Sequence, residues 1–166
     1  GTYGSSVTAT ENVMCAAVKA NGTTIIECAA CEPEVVDLAN FLKAMGARIE
    51  GAGSPRMIIR GVKRLRGCQW SVIPDRIEAA TLVTLGAITR SELKITNCQP
   101  SHMLAFLDVM RQMGITIQRK GRTLHVLAGQ RPRACDVVTL PYPAFPTDCQ
   151  AQTMALASVA DGTSVI

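Results

Sequence analysis

Aromatic side chains are scarce: one Trp, two Tyr and three Phe make up 4% of the 166 residues. Without stacking platforms, single-stranded nucleic acid is a poor partner. The excess of one charge sign over the other is small as well. Seventeen Lys and Arg against thirteen Asp and Glu leave a net +4 with no long basic run, which suits small anionic ligands better than nucleic acid. No apolar run approaches the roughly 20 residues needed to cross a bilayer, and no signal peptide opens the chain. A cytoplasmic protein without a membrane partner is therefore expected. Histidine is limited to His102 and His125, so the lone Cys28-Ala29-Ala30-Cys31 has no second ligand pair for a zinc site, and buried or incidental thiols are the commoner outcome. The seven Cys are an odd number scattered along the chain, which argues for a reducing compartment rather than a disulfide framework.

What is abundant is aliphatic. Hydrophobic residues reach 48%, so the core must be built from Ala, Val, Ile, Leu and Met. The chain also repeats itself. Met45-Gly46 ends one amphipathic helix and precedes Ala47-Arg48-Ile49, and Met113-Gly114 recurs 68 residues later before Ile115-Thr116-Ile117. Ala20-Asn21-Gly22-Thr23-Thr24-Ile25-Ile26 returns as Ala160-Asp161-Gly162-Thr163-Ser164-Val165-Ile166. A period of this length suits stacked α/β modules rather than a small solenoid.

Each module reads as helix, strand, helix, strand, strand. In the first, Thr10 is expected to cap a helix through Val13, Met14, Ala17 and Val18, followed by a strand over Thr23–Glu27. Pro33 opens a helix with Val35, Leu38, Leu42 and Met45 on its apolar face, and strands follow at Ala47–Glu50 and Arg56–Arg60. The second module is expected to run from a strand at Trp70–Ile73 into a helix carrying Ile77, Leu82, Leu85 and Ile88. A strand at Leu93–Thr96, a helix over Pro100–Met113 and strands at Ile115–Ile117 and Leu124–Leu127 complete it. A further strand, Asp136–Leu140, leads through a Pro-rich turn to a helix from Thr147 onward. The boundary is placed between residues 70 and 71.

Three helix starts are polar: Ser6 to Glu11, Asp75-Arg76 with Glu78, and Thr147-Asp148. Free N–H groups there favour anions, although simple N-capping is the commoner role for any one of them; the three together point to a shared anion cleft. Asp148 follows Pro141-Tyr142-Pro143-Ala144-Phe145-Pro146. Two readings of it stay open, a rigidly held general base beside a substrate hydroxyl and a cap. Arg76 either pairs locally with its acidic neighbours or reaches a ligand phosphate or carboxylate. Glu32 and Glu34 flank Pro33 at a helix start, where the dipole favours acids.

The segments Ser6-Val7-Thr8-Ala9-Thr10-Glu11-Asn12, Glu32-Pro33-Glu34-Val35-Val36-Asp37, Ile73-Pro74-Asp75-Arg76-Ile77-Glu78 and Pro141 through Gln152 resemble, in this order, the UDP-N-acetylglucosamine enolpyruvyl transferase family. The related shikimate-phosphate transferases match the Asp148 motif less well. The resemblance implies an inside-out α/β barrel of repeated βαβαββ units, about two of six being present here. Residues 1–70 would be the last unit of the first domain, and residues 71–166 the first unit and the start of the next in the second domain. It implies transfer of the enolpyruvyl group of phosphoenolpyruvate to the 3-hydroxyl of UDP-N-acetylglucosamine in peptidoglycan biosynthesis, with no metal or other cofactor.

By the same resemblance, Asp148 is the candidate base, with Thr147 beside it, and Ser6 and Val7 bind the UDP-sugar. Asp75 and Arg76 line the cleft of the second domain, and Glu32 and Glu34 lie near the active site. Thr8 stands where the family has Gly, and Cys31 where it has Arg. The loop bearing the family's reactive cysteine has no counterpart, so the isolated chain is expected to be an inactive central portion. The rival expectation is a non-catalytic UDP-sugar-binding or assembly module. Open sheet edges would also favour self-association or a complementing chain.

Overall fold

The computed structural model describes residues 5–127 and 129–166. The chain divides into two compact units, Gly1–Ile73 and Pro74–Ile166. The first contains α1 (Val7–Ala17), β1 (Thr23–Glu27), α2 (Pro33–Ala44), β2 (Arg48–Glu50) and β3 (Arg56–Arg60). The second contains α3 (Arg76–Ile88), β4 (Leu93–Ile95), α4 (Leu104–Gln112), β5 (Ile117–Lys120), β6 (Thr123–Val126) and α5 (Gln150–Ala157). Short 3-10 turns at Pro100–Met103 and Thr147–Cys149 precede α4 and α5.

The repeat in the sequence is a repeat in space. Both sheets are antiparallel and three-stranded, ordered β1-β3-β2 and β4-β6-β5, so the last strand of each unit lies in the middle. In the first, Ile58 of β3 faces Ile25, and Ile59 faces Ile49. In the second, Val126 of β6 is flanked by Leu93 and Ile117. Side chains alternate across a strand, so β3 buries Met57 and Ile59 while β6 buries Leu124 and Val126.

The two Met-Gly pairs have one structural cause. Gly46 and Gly114 sit just beyond α2 and α4 with φ of +102° and +85°. Gly46 N–H donates to Lys43 O and Ala47 N–H to Leu42 O, both at 2.9 Å. Gly114 N–H donates to Arg111 O at 3.0 Å and Ile115 N–H to Met110 O at 2.9 Å. This left-handed closure satisfies the last helical carbonyls and turns the chain directly toward the next strand.

Each unit has its own core. Met14, Val18, Val35, Ala39, Met57 and Ile59 centre the first, and Val83, Phe106, Met110, Leu124, Val126 and Leu156 centre the second. Small residues bring elements close: a Cβ on Gly86 would stand 3.2 Å from both Leu93 Cβ and Val126 Cγ1.

Several local expectations are corrected. Ser6, not Thr10, caps α1, because Thr10 lies buried in the first turn where its hydroxyl serves another purpose. In α3 the buried face is Ala79, Ala80, Val83, Thr84, Gly86 and Ala87, whereas Leu82 and Leu85 are exposed. Ile77 and Ile88 pack against the core as expected, but beside β6, where Gly86 makes the close approach, Leu82 and Leu85 stay outside. Residues 70–73 and 136–140 join no ladder. β-branched residues favour extended backbone, but a strand also needs a partner edge. The Trp70 indole instead donates to the Asp37 carboxylate at 3.3 Å and tilts against Phe41, with centroids 6.2 Å apart. The second extended segment bonds irregularly, Val137 N–H to Val165 O at 2.9 Å and Leu140 N–H to Phe145 O at 3.0 Å.

Candidate functional site

In the first unit, a single threonine hydroxyl joins the starts of two helices. Ser6 caps α1, its Oγ accepting from Ala9 N–H at 3.3 Å. Thr10 Oγ1 donates to Ser6 O at 2.8 Å and accepts from Ala30 N–H at 3.0 Å. The start of α1 is thereby tied to the loop that enters α2. Glu11 consequently lies in the field of Glu32 and Glu34: partial burial pushes its carboxyl above the usual carboxylate range, and Glu34 and then Glu32 push it further. Glu32 is 8% exposed, and its Oε2 is buried without a hydrogen-bond partner among the described residues. The Cys31 thiol is pushed up too, by burial and then by Glu32. Ser6 is exposed, and Val7 and Glu34 are half-buried.

In the second unit, the start of α3 meets the Pro-rich turn. Asp75 caps α3, its Oδ1 accepting from Ile77 N–H at 2.7 Å and Glu78 N–H at 3.2 Å. Arg76 is only 6% exposed, and its guanidinium carbon stands 5.6 Å from the centre of the Tyr142 ring, within cation–π range. Thr147 and Asp148 are exposed in the 3-10 turn; Pro146 holds the N-cap position of that turn and Cys149 that of α5, neither with a side-chain capping bond. Asp148 therefore caps neither element. Behind it the Cys149 thiol is buried and pushed up to about 11, mainly by desolvation. Arg76 pulls it down, while Asp148 and then Asp75 push it up.

The eight expected site residues thus fall into two groups of four. Ser6, Val7, Glu32 and Glu34 gather in the first unit, and Asp75, Arg76, Thr147 and Asp148 in the second. Tyr142 and Cys149 join these groups without having been singled out in the sequence, and Glu11, named there only as the end of a polar helix start, joins the first. Glu11 lies one turn from Val7, on the same helix face, which was the available signal. Nothing in local spacing pairs Tyr142 with Arg76, because 65 intervening residues separate them.

The duplicated αβαββ arrangement defines a repeat-built α/β protein with the enolpyruvyl transferase fold. The enolpyruvyl transferase NikO of Streptomyces tendae shares that fold with a TM-score of 0.80 at 23% identity, the match covering 94% of this chain and 38% of NikO. The profile of the EPSP synthase (3-phosphoshikimate 1-carboxyvinyltransferase) family matches residues 2–166, and the chain belongs to that family. Among curated relatives, UDP-N-acetylglucosamine 1-carboxyvinyltransferase of Methylacidiphilum infernorum is 49% identical over 166 residues, and the protein of the same name from Gloeobacter violaceus is 52% identical over 162. The chain spans 39% and 35% of their respective lengths. No helix among the described residues is long and apolar enough to cross a membrane.

Proposed function

We propose that this chain supplies the central portion of a cytoplasmic enzyme that transfers the enolpyruvyl group of phosphoenolpyruvate to the 3-hydroxyl of UDP-N-acetylglucosamine, releasing phosphate. The observation that carries this reading is identity of about half over the whole chain to carboxyvinyltransferases named for that sugar nucleotide. The placement of Asp148 supports it: an exposed carboxylate in a Pro-framed turn, used as a cap by neither adjoining element. In this reading residues 1–70 close one domain and residues 71–166 begin the other. Asp148 takes the proton of the sugar hydroxyl, with Thr147 beside it, and Asp75 and Arg76 line the same cleft. Ser6 and Val7 hold the UDP-sugar, and Glu32 and Glu34 shape the charge near it. The reactive-cysteine loop must come from elsewhere, so the isolated chain is expected to release no phosphate.

The test is a chimera in which this sequence replaces the matching segment of the Methylacidiphilum relative. The expected result is phosphate release that requires both phosphoenolpyruvate and UDP-N-acetylglucosamine. Asp148→Asn should lower kcat by about 10²- to 10⁴-fold, the usual contribution of a positioned general base. A folded chimera without turnover, or an Asp148→Asn chimera as active as its parent, would refute the proposal.

A further inference from the structure

The Pro-rich turn that carries Asp148 is poorly anchored by its own backbone. Pro141, Pro143 and Pro146 have no N–H to give. The bonds inside the turn, Ala144 N–H to Pro141 O, Leu140 N–H to Phe145 O and Cys149 N–H to Pro146 O, are all local and fix its shape rather than its place. Its attachment to the rest of the unit must therefore come from side chains, and two are suited to it. Phe145 is 5% exposed and packs into the core against Phe106, with ring centroids 6.2 Å apart. Tyr142 faces the Arg76 guanidinium at the first residue of α3. Phe145 and the buried Cys149 hold the C-terminal half of the turn, and Tyr142 adds a contact at its N-terminal half, so the two halves are fixed at separate points.

Arg76 also carries its charge at a nearly buried position. A nearly buried guanidinium has lost much of its hydration, and an aromatic face is one of the few apolar surfaces that stabilises it. The same charge is felt at Cys149, the residue after Asp148. Tyr142 and Arg76 thus form a link from the cap of α3 to the turn that presents the carboxylate.

We propose that Tyr142 is a positioning residue for Asp148: its ring, stacked against the Arg76 guanidinium, fixes the orientation of the turn over residues 141–148 against the start of α3. The assignment of a task to Asp148 rests on the function proposed above; the anchoring itself does not. The ring, rather than the hydroxyl, is the active part, so Tyr142→Phe should preserve the link and Tyr142→Leu should break it.

Two measurements separate these levels. In the 166-residue chain, carbamidomethylation of Cys149 by iodoacetamide, resolved by peptide mass spectrometry, reports opening of the turn. Tyr142→Leu should raise that rate about tenfold while Tyr142→Phe stays within about twofold of the parent, since reactivity follows access to the thiolate. In the active chimera, Tyr142→Leu should lower kcat about tenfold with KM for the sugar nucleotide unchanged, because misplacing a reacting group affects the chemical step. Tyr142→Phe should restore it. Should Tyr142→Leu fail to fold by circular dichroism, Tyr142→Met removes the ring while keeping the Arg76 charge that acts on the Cys149 thiol, and must reproduce the faster Cys149 labelling. Parental Cys149 labelling in a folded stack-breaking variant overturns the anchoring. Faster labelling with unchanged kcat overturns the positioning, and equal damage from Tyr142→Phe overturns the role of the ring. An inactive parental chimera would instead count against the proposed function, with the labelling comparison still deciding the anchor.

Discussion

Thr10 does more than its position in a helix first turn requires. Its hydroxyl donates to one backbone carbonyl and accepts from a backbone N–H of a distant loop, with the residue 4% exposed. Thr10→Val keeps the shape but strands the buried Ala30 N–H, so urea unfolding should show a loss of about 1–3 kcal/mol. Glu11, one residue on, titrates against its neighbours. Its folded pKa lies above the ordinary 4.5, so its contribution to stability is fully present below that pH and is lost as pH rises through the folded value. Glu11→Gln should therefore raise Tm relative to the parent at pH 7, with the gain shrinking toward pH 4; a pH-independent difference would contradict the linkage. The acid-rich start of α2 was legible because Glu32 and Glu34 flank a proline. The third carboxylate was not, because its approach depends on the Thr10 bridge between segments 20 residues apart.

Whole elements were legible where local signals agreed. The strand Thr23–Glu27 and the helix opened by Pro33 stand where the pattern placed them, since a β-branched run and a proline at the first helical turn act over a few residues. Two extended segments were misread as strands because pairing is decided by partners far along the chain, here by which strands already flank β3 and β6. In α3 the expected face held at Ile77 and Ile88 but not at Leu82 and Leu85: close to the sheet, small side chains took the buried positions. The recurrence of Met-Gly was the most informative sign in the sequence, and its cause is conformational. Gly46→Ala and Gly114→Ala should each cost about 1–2 kcal/mol in chemical denaturation, since both positions are left-handed. A Cβ at Gly46 meets nothing within 4 Å, and one at Gly114 meets only the flexible end of Arg133, so strain rather than collision sets both values.

At the scale of the molecule, two cores share no residue, and each is closed by its own sheet and helices. Met57 is fully buried in the first of them. Met57→Ala should destabilise that unit by about 2–5 kcal/mol. Hydrogen exchange should then quicken at Ile25 and Ile59 while the amides of Leu124 and Val126 keep their protection. Uniform loss across both sheets would show that the units unfold as one. The candidate site was legible as residues and less so as geometry: motifs named Asp148 and Arg76, but the contact of Arg76 with Tyr142 and the influence of Asp75 and Arg76 on the Cys149 thiol arise from chain folding over long separations.

The central place of the last strand bears on how the protein is made. While a ribosome has delivered only β1 and β2, neither has its ladder partner, because both bond to β3. Nascent chains halted before Arg56 should therefore remain open to chaperones and proteases, and those carrying Arg60 clear of the exit tunnel should resist them. The same delay recurs in the second sheet until Val126 emerges.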